Sequence, residues 1–365
     1  MEYEEAVRTL ASRWLEVAAP GAGRRPAEDF VVSPAGVWLA FGALAAGAAG
    51  PTAARFGQLL GVSGPGAARA VTSAARALAA TDSLAVATGV WSTEPLRDTF
   101  RAALPDVGFG PLREQAEIDA WVRDATGGLI RELPLRVTAA TRLVLVNAPA
   151  LKARWAVPFA AAETAARDFT DAAGVVHRVP TMHRRLSRSE VWTVPGGVTV
   201  VELGCAAAAD GTPGARVRLV LGEPGAPPAA VLPAAWSDRR RPVEADRVGV
   251  AVPRLSLRAR TDLTGPLRAL GLTAALSPGA DFSALADRPL YVDAAVQECL
   301  LNVAELGVEA AAVTAVTMRA TAVTRQPLRI AFDRPFGIVL LSGAGEAPLL
   351  TAWQAAAPAG PQPPA

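Results

Sequence analysis

Apolar residues change their spacing near Arg142, from a helical period before it to the shorter period of strands after it. Val7, Leu10, Trp14 and Val17 recur at helical spacing and predict a first helix that stops near Pro20-Gly21. Ser33 reads as a helix cap with Pro34 in the first helical position, and Val37, Phe41 and Leu44 mark that helix's apolar face before Gly50-Pro51. An alanine-rich stretch from about Ala67 to Ala80 favours another helix. Ile118, Trp121, Val122, Ala125, Leu129 and Leu133 form a further helical stripe, weakened by Gly127-Gly128. Leu84 to Trp91 reads as the first strand; Leu143 to Val146, Val198 to Leu203, Arg216 to Leu221, Val248 to Leu257 and Pro348 to Trp353 read as later ones. Helices dominate the first third and strands the last, with no repeat and no linker long enough to separate independent domains. The closing QAAAPAGPQPPA, residues 354–365, reads as a disordered tail.

One segment breaks the usual rule that connections are short and polar. Between strand-like Val296 to Val303 and strand-like Leu328 to Phe332 lie about two dozen residues with almost no turn chemistry. Gly307 punctuates the start, and the next proline is Pro327. Read with period two, one set of side chains is Val308, Ala310, Ala312, Thr314, Val316 and Met318, uncharged and growing along the chain. The other set is Glu309, Ala311, Val313, Ala315, Thr317 and Arg319, which carries both charges. This is the pattern of a strand with one buried and one wetter face, placed where a loop belongs.

Composition narrows the function classes. With 365 residues, 51% of them apolar, the chain can bury a large core. A net charge of +2 with 19% charged residues argues against electrostatic binding of nucleic acid or membrane, and no apolar run reaches a membrane span. The acidic, amphipathic start lacks a signal core, so a cytoplasmic location is expected. Lys152 is the only lysine; with so much Ala, Gly and Pro, this reads as the codon bias of a high-GC genome. Cys205 and Cys299 lie in apolar runs and read as buried free thiols. Arg239-Arg240-Arg241 reads as a solvated loop end.

Catalytic sets are missing. His177 and His183 have no Cys or carboxylate cluster beside them and read as surface residues, with no metal expected. Gly61-Val62-Ser63-Gly64 approaches a nucleophile elbow, but Pro65 stands where glycine is required. No phosphate loop, dinucleotide fingerprint or metalloprotease motif is present, so no enzyme and no cofactor is expected.

The segment Glu305-Leu306-Gly307-Val308-Glu309-Ala310-Ala311-Ala312 resembles the hinge of a serpin reactive-centre loop. Six further segments resemble the family in order. They are Asp29 to Pro34; Ile118 to Val122 with Thr126 and Ile130; Leu145 to Asn147 with Lys152 to Phe159, Thr164 and Phe169; Val252 to Leu255; Gly279 to Ser283; and Phe332 to Phe336 with Pro348-Leu349. The resemblance, to a bacterial member, implies a single α+β domain over residues 1–353, with about eight to nine helices around three sheets, a large central sheet and an exposed loop at about 305–327. It implies a monomeric suicide inhibitor that forms a covalent complex with a serine protease. Counting seventeen residues from Glu305 puts the reactive bond between Thr321 and Ala322; a sixteen-residue count gives Ala320-Thr321. Small bait there suits an elastase-like or subtilisin-like protease, whereas a trypsin-like one would cut at Arg319 or Arg325. The sheet-opening region maps onto Ser33, Asn147, Trp155 and Gln297. Gly36 and Gln297 stand where the family has a serine and a histidine, and Pro149 interrupts an expected central strand. The alternative is a non-inhibitory binding or chaperone-like member, cleaved without trapping.

Overall fold

Helix α2, Pro34–Gly47, shows how the amino-terminal sequence sets up the fold. Ser33 Oγ accepts from the Gly36 amide, Pro34 takes the first turn, and nearly every side chain is buried. An apolar helix without a polar face runs through the interior rather than along the surface. A computed structural model describes residues 3–17, 28–308 and 328–360, apart from positions 83, 134, 136, 139, 140 and 246. Within them α1, Tyr3–Val17, buries Val7, Leu10 and Trp14 as the spacing predicts, while Val17 at its end is exposed.

Two helical expectations need correction. Gly50-Pro51 starts a helix, α3 (Gly50–Leu60), instead of only ending one: proline fits the first turn, and Gly61 closes α3 at φ +76°. Helix α4, Gly64–Ala79, then begins before the expected Ala67. A one-turn α5, Asp98–Ala102, precedes α6, Gln115–Ala125. The stripe from Ile118 to Leu133 is not one helix, because Gly127 (φ +60°) and Gly128 (φ +81°) turn the chain out of it. Ile130 and Leu133 still reach the same cluster by way of Thr126 and Asp119, which accept their amides. Short α7, Pro228–Val231, and α8, Thr264–Ala269, complete eight α-helices among the described residues.

In chain order the strands are β1 (Phe30–Val32), β2 (Leu84–Ser92), β3 (Gly108–Pro111), β4 (Leu143–Leu151), β5 (Ala153–Arg154) and β6 (Ala165–Thr170). Then come β7 (Val176–Leu186), β8 (Val191–Val194), β9 (Val198–Gly204), β10 (Arg216–Leu221), β11 (Arg241–Pro242) and β12 (Val248–Pro253). The last six are β13 (Leu255–Asp262), β14 (Ala294–Ala304), β15 (Gly307–Val308), β16 (Leu328–Ala331), β17 (Phe336–Leu341) and β18 (Pro348–Gln354). They form three sheets. One has the order β1-β18-β17-β10-β9-β8-β11, and a four-stranded one runs β16-β12-β7-β6. The third, β3-β2-β4-β14-β15-β5 with β13 on the far side of β14, carries the candidate site.

Pro149 is tolerated inside β4 because pairing with β14 ends at Asn147, leaving that side of the strand open. Arg239, Arg240 and Arg241 are exposed, as expected, yet Arg240 also lies 4.7 Å over the Trp192 ring and 3.2 Å from Glu346. Residues 354–356 are also tied down more than expected. Gln354 closes β18, and Ala355 and Ala356 donate their amides to Asp29 at 2.6 and 2.9 Å.

Candidate functional site: the seam between β4 and β14

Strands β4 and β14 run parallel and pair from Ala294↔Val144 to Gln297↔Asn147. Beyond that point they part, and the two-residue β15 sits between β14 and β5, with Gly307 facing Ala304 on one side and Arg154 on the other. The register is the same above and below the gap: 297 − 147 = 150 and 304 − 154 = 150. A strand entering this seam from the β15 end would meet both neighbours without slipping either. The unfilled stretch holds only a small cleft, lined by Ala150, Leu151, Leu300, Asn302 and Leu129.

Close approach explains Gly307. A methyl group there would overlap the Ala153 carbonyl oxygen and lie 2.8 Å from Arg154 Cα. Val308, only 1% exposed, joins the main core between Val303 and Ala153.

Glu305 clasps the open end. Its carboxylate accepts from Arg254 Nε at 2.7 and 2.9 Å and from Thr164 Oγ1 at 2.7 Å. Arg254 opens the β13 side of the seam and Thr164 follows β5, so one carboxylate spans both sides. Burial pushes the Glu305 carboxyl up, but hydrogen bonds from Arg254 and Thr164 outweigh it and hold the group below its ordinary range. Trp155 reinforces the clasp: its Nε1 donates to Ala304 O at 2.8 Å and its amide to Leu306 O at 2.9 Å. The Phe159 amide reaches Glu305 O at 2.9 Å.

A second polar cluster locks the closed end. Gln297 Oε1 accepts from the Ser33 amide at 2.7 Å, while Nε2 donates to Ser33 O at 3.1 Å and Asn147 Oδ1 at 2.9 Å. Asn147 Nδ2 passes on to Thr88 Oγ1 at 3.1 Å, and Ser33 Oγ donates to Leu349 O. Gly36 makes room, since a methyl group there would overlap Asn147 Oδ1. The two departures seen in the sequence therefore belong together: the smaller residue on α2 admits a side-chain chain running Ser33, Gln297, Asn147, Thr88. Each buried polar group in it gains a partner, which a low-dielectric interior demands.

Ser33, Asn147 and Gln297 thus meet at one end of the seam and Trp155, Glu305, Gly307 and Val308 at the other. Glu309, Ala310, Ala311 and Ala312 lie outside the described residues, as do Arg319, Ala320, Thr321, Ala322 and Arg325. Thr88 carries no local signal beyond polarity; Thr164 and Arg254 stand in segments that resemble the family, but the sequence alone assigns them no part in a clasp. Beside the seam, Glu298 is fully buried on β14, bonded to Arg258 and 3.5 Å from Arg260, with Oε2 unpartnered. His177 bonds Asp171 at 2.7 Å, and His183 lies 3.6 Å from Glu163. The described residues contain no cluster of metal ligands. Both cysteines are free and buried, and burial pushes the Cys205 thiol up to about 12.

Comparison with known proteins gives a consistent result. The family profile described as Serpin (serine protease inhibitor) matches residues 16–352. Glia-derived nexin of Mus musculus is 28% identical over 86% of this chain and 83% of its own length. Plasminogen activator inhibitor 1 of Bos taurus is 30% identical over 66% of this chain, but this match spans only 61% of that protein. Among solved structures, the native state of tengpin, a thermophilic serpin, superposes with a TM-score of 0.82 at 19% identity, covering 97% of this chain and 95% of that one. Thyroxine-binding globulin in complex with thyroxine gives 0.77 at 21% identity, covering 96% and 98%.

Proposed function

Because this chain belongs to the serpin family, we propose that it traps serine proteases by inserting its cleaved loop into the seam between β4 and β14. Loop insertion in serpins is an established case of stored-strain release by strand addition. The protease serine oxygen bonds to the Thr321 carbonyl carbon, the Ala322 amine leaves, and the acylated loop end is then free to move. Zipping starts at Gly307-Val308, already seated between β14 and β5. Kept in the same register, Ala310 and Ala312 follow Val308 onto the core face, and Thr314 arrives between Gln297 and Asn147, a hydroxyl among amides.

The in-phase seam with its first residues seated is the observation that carries this reading. With Val308 already seated, insertion buries about five further side chains at on the order of 1–2 kcal/mol each. Ladder hydrogen bonds add roughly 0.5–1.5 kcal/mol apiece, for a total near 20 kcal/mol, enough to distort a bound enzyme. The small bait points to an elastase-like or subtilisin-like target.

The test is incubation with pancreatic elastase and, separately, with subtilisin, followed by a denaturing gel and the mass of the released peptide. A surviving band at the summed mass, with a peptide beginning at Ala322, is the expected result. A second reading, cleavage without trapping, is favoured by the Ser33-Gln297-Asn147-Thr88 lock, which must open before insertion passes the middle of the sheet. Two clean fragments and no joint band would establish it.

A further inference from the structure

The chain does not stop at β18. After Gln354 it stays on the body: Ala355 and Ala356 donate to Asp29 Oδ1, and Gln354 Nε2 reaches Asp29 Oδ2 at 3.2 Å and Ala356 O at 3.1 Å. The Ala172 amide, in the turn between β6 and β7, donates to Ala355 O at 2.9 Å. Pro358 is buried, and the segment ends against the stem of Arg254: a side-chain carbon on Gly360 would lie 3.6 Å from Arg254 Cβ and 3.7 Å from Cδ. Arg254 is the residue whose guanidinium holds Glu305.

We infer that residues 355–360 are a strap that holds the open end of the seam shut by bracing Arg254. The Arg254 side chain is 38% exposed and would otherwise have rotamers that leave Glu305. Backbone beside its aliphatic stem narrows that choice, so the clasp from Arg254 through Glu305 to Thr164 stays closed without a new charge contact. The anchor at Asp29 and Ala172 lies on the other two sheets, so the strap ties them to the opening end of the third. Its role as a brake on insertion rests on the function proposed above; its effect on the closed seam does not.

Hydrogen exchange separates the two, since it needs no protease. The truncation that ends at Ala357 keeps both amide bonds to Asp29 and removes the contact with Arg254. Exchange in peptides covering Trp155 to Phe159 should rise at least about ten-fold in this variant, as their amides bond Leu306 and Glu305 across the seam. Exchange in β10 and β17 should not change. Asp29→Ala, in the full chain, should give the same local rise. Unchanged exchange at Trp155 to Phe159 in both variants overturns the strap, and so does an equal rise in β10 and β17, which means general destabilisation. A local rise with no trapping by the wild type would leave the strap standing and refute the function.

Discussion

Val308→Arg isolates insertion from cleavage. Val308 is fully buried between Val303 and Ala153 at the point where zipping starts. In the intact protein the arginine unseats β15 and stays in water, so the valine's burial, about 1.5–3 kcal/mol, is lost before insertion begins. Insertion must then bring the guanidinium into the seam, and an unpaired buried charge costs several kcal/mol. Glu305 at the clasp is already bound by Arg254 and Thr164 and is not free to pair with it. A barrier increase of only about 4 kcal/mol slows insertion roughly a thousand-fold. Acylation at Thr321 involves residues beyond this position and keeps its rate. Deacylation then wins, and the variant becomes a substrate. The assay is the number of inhibitor molecules consumed per protease molecule inactivated, measured with elastase or subtilisin by titration of residual activity. The expected ratio rises by at least about a hundred-fold while the cleavage rate holds. Undiminished trapping by Val308→Arg would refute the argument that the seam admits only small, uncharged side chains at its mouth.

Three other substitutions probe the same account. Gly307→Ala forces a methyl group into the Ala153 carbonyl, so β15 should leave the seam, with faster exchange at Trp155 and a melting point lowered by a few degrees. Gln297→Leu breaks three hydrogen bonds and strands the Ser33 amide, costing the closed form about 2–5 kcal/mol; the half-life of trapping activity on warm incubation should fall. Glu346 gives a pH dependence: burial raises its pKa, but Arg218 and then Arg216 outweigh that and hold it at about 2, from an ordinary 4.5. A depressed carboxyl stabilises the fold fully above pH 4.5 and less as pH falls toward about 2, so the melting point of wild type should drop more steeply across that window than that of Glu346→Gln.

Much of the site was legible because it obeys local rules. The Ser33-Pro34 cap and the hinge glycine each follow from backbone chemistry that a single segment displays. Gly36 and Gln297 looked like losses when read one at a time, since their complementarity exists only across 261 positions (297 − 36) and through Asn147. Helix α3 was hidden for a different reason: Pro51 signals a start as readily as a stop, and periodicity over Gly50–Leu60 had to decide. The start of the tail carries no packing signal in its Ala and Pro; Ala355 and Ala356 are held by one distant carboxylate, Asp29.

The central claim is that the cut loop becomes a strand of the third sheet, and melting tests it most directly. Intact protein and protein nicked between Thr321 and Ala322 are compared by thermal unfolding in the same buffer. With unfolding entropy near 2.1 cal/mol/K per residue, a gain of roughly 20 kcal/mol corresponds to a rise of about 25 °C in the nicked form. A nicked form that melts at or below the intact protein would contradict insertion, whatever the gel shows.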